Sequence, residues 1–139
     1  MKKFVILKKF VILLVSVSSL FLAGAALATE RTIDRLNDAI AICNHEISDA
    51  TSGNYSEYRS VTVRSVLTDV RHLIVEARTT TQSCVTADLI DLSQTQIVDE
   101  INDSYRWAKY SLTAVIQVMK QIKNGLELAI KYDSVNTCQ

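Results

Sequence analysis

Three cysteines (Cys43, Cys84, Cys138) and two histidines (His45, His72) hold most of the reactive side-chain chemistry of this 139-residue sequence. Three thiols allow one disulfide and leave one sulfur over. Each histidine has a carboxylate four residues on, Asp49 and Glu76. That spacing puts both groups on one helical face. The spacings of known metal centres are missing. There is no C-x-x-C, no H-E-x-x-H and no Glu-x-x-His of the di-iron bundles. Haem attachment through C-x-x-C-H is also absent. The histidines are therefore read as solvated or locally paired, and no metal or cofactor is assigned.

Catalytic constellations are equally sparse. Asp99, Glu100 and Asp103 fall on the polar side of a helix, where adjacent side chains point different ways. No G-x-S-x-G, phosphate loop or dinucleotide fingerprint occurs. The chain is read as a non-enzyme. Its one concentrated feature is Tyr105-Arg106-Trp107-Ala108-Lys109-Tyr110. Trp, Tyr and Arg are the usual anchors of protein interfaces. Tyr105 lies on an apolar seam and is expected in the core. Trp107 and Tyr110 lie off it, where they would either pack under the next helix or face solvent; with Arg106 and Lys109 they form the candidate partner contact.

The elements that must position these residues read as helices. Residues 1–28 look like a secretory leader: Lys2, Lys3, Lys8 and Lys9, an uncharged run from Phe10 to Leu22, then Ala26-Leu27-Ala28. KKFVIL occurs twice in tandem within it. Cleavage is expected before Thr29, with retention as an anchor the competing reading. Export permits disulfides and places the protein in the periplasm or outside the cell. Losing the leader takes Lys+Arg from 15 to 11 against 15 Asp and Glu, so the remainder (29–139, one domain) carries about −4. A mildly acidic chain without a basic cluster is a poor nucleic-acid binder. Stable membrane insertion after cleavage is not expected either.

Apolar residues then recur in steps of 3 and 4. The first run is Ile33, Leu36, Ile40, Cys43, Ile47, Ala50; the second is Val63, Val66, Val70, Leu73, Ala77. Both predict amphipathic helices. Gly53 or Asn54 suits a left-handed cap between them, and Ser56 or Asn54 could cap the second. A short helix is expected over Ala87–Leu92, capped by Thr86. Ser93-Gln94-Thr95-Gln96 fits a capping box that opens a long last helix. The 3/4 rhythm there runs unbroken from Val98 through Tyr105, Ala108 and Leu112 to Ala129. Read whole, 94–132 would span about 58 Å, against about 40 Å for the second helix. That mismatch is the weakness of the unbroken reading.

The expected fold is all-α: an antiparallel bundle of three long helices plus a short one, or a four-helix bundle if the last helix breaks near Asn102-Asp103-Ser104. A hairpin turning near residue 53 sets Cys43 far from Cys84 and leaves the tail free to fold back. Cys43–Cys138 ranks first as the disulfide and Cys84–Cys138 second. The expected function is protein–protein binding by a small exported protein, favoured as an inhibitor or immunity-type protein that neutralises a toxin or enzyme in the envelope. An accessory subunit or chaperone of an envelope secretion or pilus assembly is the alternative, and a ligand carrier using the bundle core is another.

Overall fold

The structure, a computed structural model, describes residues 2–133, with side chains described at Gly24 and from Ala26 onward. It contains α1 (Lys2–Thr51), β1 (Tyr58–Arg59), α2 (Ser60–Thr80), α3 (Cys84–Ser104), β2 (Lys109–Tyr110) and α4 (Leu112–Asp133). The helices form an up-down-up-down four-helix bundle. Each packs against two neighbours, α1 and α3 both lying between α2 and α4. Arg35–Glu76, Arg78–Asp91 and Gln96–Gln121 bridge successive interfaces and fix their antiparallel registers.

The expected leader forms the first part of α1, and most of its side chains fall outside the described residues. Gly24, Ala26 and Leu27 are exposed; among the described residues the first buried side chain is Thr32. From Thr29 to Thr51 the helix matches the other three, which have 21, 21 and 22 residues. Its buried stripe is Thr32, Leu36, Ala39, Cys43 and Ala50, with Ile40 and Ile47 half-buried beside it. In α2 the buried set is Val63, Leu67, Val70, Ile74 and Ala77. The expected seam residues Val66 and Leu73 are half-buried. A helix covered by two neighbours buries a stripe wider than one seam. Ile90, Ile97, Met119, Ile122 and Leu126 are fully buried on α3 and α4. Each side chain of this size contributes about 1.5–3 kcal/mol on burial.

The unbroken last helix does not form. Residues 84–104 make one helix, a seven-residue connection turns the chain, and 112–133 make another. The short helix is therefore the start of α3, and the expected capping box at Ser93–Gln96 lies inside it. Ser83 is the actual cap, its Oγ accepting from the Thr86 N–H at 3.1 Å. Thr86 instead donates its hydroxyl to the Ala129 carbonyl across the α3–α4 interface, at 2.9 Å. The α1–α2 turn uses Gly53, at φ 76°, as expected for the left-handed position. Neither Ser56 nor Asn54 caps α2, which starts from Arg59 without a side-chain cap.

Cys43 corrects the first-ranked disulfide. It is a free thiol, fully buried, and burial pushes its pKa up to about 12. It lies about 16 Å along α1 from Thr32, which marks the end where α4 finishes. A tail leaving α4 after Asp133 would have to enter the core to reach it. Cys84 opens α3 at that same end, where Ser83 Oγ meets the Tyr132 carbonyl at 3.2 Å. Cys84 is not a free thiol. The second-ranked partner, Cys138, lies outside the described residues. Five residues can span about 17 Å, enough to join Cys138 to Cys84. Peptide mapping of the nonreduced protein should give a Cys84–Cys138 link, with Cys43 alkylated only after denaturation. A link through Cys43 would contradict this packing.

Gly125 lets α4 approach α3 closely. A Cβ there would stand 2.8 Å from Ser93 Oγ, which is held by its bond to the Leu89 carbonyl. Gly125→Ala should thus gain little of the roughly 1 kcal/mol of helix propensity. In a Ser93→Ala background it should gain most of it. Chemical denaturation of the two single variants and the double variant measures the difference.

Candidate partner-binding surface

The helix ends at one end of the bundle leave unpaired backbone donors on α2 and acceptors on α3. Some of these find partners across the α2–connection contact. The Ser60 N–H donates to the Ala108 carbonyl at 3.2 Å, and Ser60 Oγ donates to the Trp107 carbonyl at 2.6 Å. Arg64 Nη1 donates to the Ser104 carbonyl, the last of α3, at 3.1 Å. The α3–α4 connection is thereby pinned onto the first turn of α2. Two-residue strands extend the contact, with Tyr58 opposite Tyr110 and Arg59 opposite Lys109. Ser111 then starts α4, its Oγ accepting from the Ala114 N–H at 3.2 Å.

This pinning decides which aromatic rings face solvent. Strand residues alternate faces, so Lys109 points out and Tyr110 in. Tyr110 is 9% exposed, and its hydroxyl meets the Glu100 carbonyl at 3.5 Å. Burial, followed by Glu100 and Asp103, raises its pKa. The expected contact role of Tyr110 is therefore corrected: it is a core residue. Tyr105 is corrected in the opposite sense. It leaves the helical seam when α3 ends and is 71% exposed. Trp107 is exposed at 63% and does not pack under a neighbouring helix.

Tyr105 is held from below by Arg64, whose guanidinium carbon lies 4.4 Å from the ring centre. A cation over an aromatic face adds about 0.5–1 kcal/mol at an exposed site. Arg106 pairs with Asp103 at 3.4 Å, and Lys109 pairs with Glu57. Between α2 and the connection lies a shallow depression of about 380 Å³, walled by Arg59, Val61, Arg64, Tyr105, Trp107 and Lys109. Val61 is itself 58% exposed. The result is a fixed aromatic ridge with a basic border. Sequence reasoning missed Arg59, Val61 and Arg64, because only the docking of the connection brings them beside Trp107.

The remaining candidates are dispersed. His45 Nδ1 lies 3.6 Å from Glu46 and 3.5 Å from Asp49, while His72 Nε2 lies 3.2 Å from Glu76. Both histidines are exposed and locally paired, as expected. Glu76 also receives Arg35 Nε at 2.7 Å. The carboxyl of Glu100 is half-buried, and burial, then Asp103 and Asp99, raises its pKa. No family model, curated protein or solved structure matches the chain.

The exchange of roles between the tyrosines is measurable. Tyr110→Ala should cost about 3–5 kcal/mol, the usual loss for a buried aromatic. Trp107→Ala should change stability by no more than about 0.5 kcal/mol, as for other surface positions. Equal losses in thermal or urea unfolding would contradict the burial described here.

Proposed function

We propose that this is a small exported helical protein that works by binding another protein through the Tyr105–Trp107 ridge. In this reading it is an inhibitor or immunity-type protein of the periplasm or exterior, neutralising a toxin or enzyme in the cell envelope. The observation that supports it is the pairing of two large exposed rings with a basic border on an immobilised turn. Interface anchors are enriched in Trp, Tyr and Arg, and a few such residues carry most of the binding energy. A turn already fixed by hydrogen bonds loses little conformational entropy when a partner covers it. Arg59, Arg64, Arg106 and Lys109 suit a partner surface that offers carboxylates.

The export part of the proposal rests on the leader-like sequence and on where the bundle begins. Among the described residues burial begins at Thr32, three residues beyond the expected cleavage point before Thr29. Among the described residues no helix is long and apolar enough to cross a membrane.

Coprecipitation with tagged protein from envelope extracts should yield one tight partner. Against that partner, Tyr105→Ala and Trp107→Ala should each weaken binding by at least about 2 kcal/mol, roughly 30-fold. Both variants should keep the wild-type unfolding midpoint within about 0.5 kcal/mol. Full affinity in a folded double variant would remove this surface from the function.

A further inference from the structure

The cations around the aromatic ridge are not equivalent. Arg106 and Lys109 already face Asp103 and Glu57. Among the described residues, Arg59 and Arg64 have no carboxylate within 4.0 Å, and both wall the depression of about 380 Å³ beside Trp107. None of the residues that wall it is acidic. We propose, resting on the reading of the Tyr105–Trp107 ridge as a binding surface, that this depression receives an acidic side chain from an extended segment of the partner protein. Arg64 and Arg59 grip the carboxylate, and an apolar side chain of the same segment lies against Val61 and Trp107.

The geometry of Arg64 selects a carboxylate. Its Nη1 donates to the Ser104 carbonyl at 3.1 Å and lies 3.4 Å from Ser104 Oγ. A guanidinium carries five N–H donors in a rigid planar fork. With Nη1 turned to Ser104, the edge formed by Nε and Nη2 remains, and no described residue accepts from it. Two parallel N–H groups on one edge match the two oxygens of a carboxylate. The guanidinium is also fixed before anything binds, by the Ser104 bond and by the Tyr105 ring, 4.4 Å from its central carbon. A fork held in advance gives up little side-chain freedom on binding. Arg59 is exposed and adds a second positive charge to the same depression. Val61 and Trp107 supply apolar surface beside these cations, 58% and 63% exposed. A partner covering that surface excludes water, and the ion pair strengthens as the local dielectric falls. In an extended segment successive side chains alternate faces. An acidic and an apolar residue two positions apart therefore share the face that meets the depression.

Trp107 is the only tryptophan in the sequence, so its emission reports on the depression directly. The test is a fluorescence titration of the purified full chain at low salt with a peptide of three Glu-Ser-Leu-Ser repeats, blocked at both ends. The emission should change along a saturable curve. Replacing Glu by Gln in the peptide should weaken binding by at least about 10-fold, as for the loss of hydrogen bonds to a charged group. Arg64→Lys keeps the charge but lacks the fork and should cost a similar factor. Arg59→Ala should cost about 2- to 5-fold, the range of an exposed ion pair. Arg71→Ala should cost nothing, since Arg71 is exposed on the same helix but lies outside the depression. Circular dichroism melts check the fold of each variant, and the Gln peptide tests the wild-type chain alone. No saturable change, equal affinity for the Glu and Gln peptides, or equal losses in Arg59→Ala and Arg71→Ala would each overturn the proposal. Partner binding that falls in Trp107→Ala but stays complete in Arg64→Lys and Arg59→Ala would also overturn it, and would leave the ridge itself standing.

Discussion

The bundle depends on the way the α3–α4 connection is caught by the first turn of α2. Ser60 and Arg64 take the carbonyls of Ser104, Trp107 and Ala108, acceptors that a helix end would otherwise present to water. One of these bonds also takes up the first backbone N–H of α2, that of Ser60. Two helix termini thus meet in one contact. Because the chain turns there, α3 and α4 come out nearly equal in length to α2 and to the part of α1 beyond Ala28. Four elements of matched length can bury their apolar stripes along their whole extent. One 39-residue helix against shorter neighbours would leave a large apolar overhang.

The opposite end of the bundle is closed by hydroxyls. Thr32 Oγ1 and Thr80 Oγ1 meet at 2.8 Å, and Thr81 donates to Asp133 at 2.7 Å. Ser83 and Thr86 donate to the last carbonyls of α4. The Thr- and Ser-rich stretch from 79 to 83 thus does more than interrupt a helix. It supplies the short polar side chains that satisfy three helix ends at once.

The helical class and the first two helices were legible in the spacing of apolar residues, as was the left-handed Gly53. The turn after Ser104 was not, and the reason is arithmetic. Tyr105–Ser111 has seven residues, one heptad. Deleting a heptad from a 3/4 pattern leaves its phase intact, so Ile101 and Leu112 still read as one seam. The segment also contains neither Pro nor Gly to announce a break. The warnings were the length mismatch with the second helix and the polar Asn102-Asp103-Ser104, named as the place of a break, where α3 does end. The same cause inverted the two tyrosines. On a continuous helix Tyr105 belongs to the seam and Tyr110 does not; in the turn, Tyr110 becomes an inward strand residue. Trp107, whose position off the seam left packing and exposure both open, is exposed in the turn. Arg64 and Tyr58 owe their places to contacts about 40 and 50 residues away in sequence, beyond any local pattern.

The turn itself is therefore the claim on which fold and binding surface both rest. Gln96 and Gln121 meet across the α3–α4 interface, with Nε2 and Oε1 3.0 Å apart. In a continuous helix the same residues would be about 37 Å apart along the axis. Nitroxide labels at positions 96 and 121, read by electron spin resonance, measure that separation directly. Strong dipolar broadening, as expected for helices with axes about 8–10 Å apart, agrees with the bundle described here. A separation near the continuous-helix value would contradict both the bundle and the surface built on its turn.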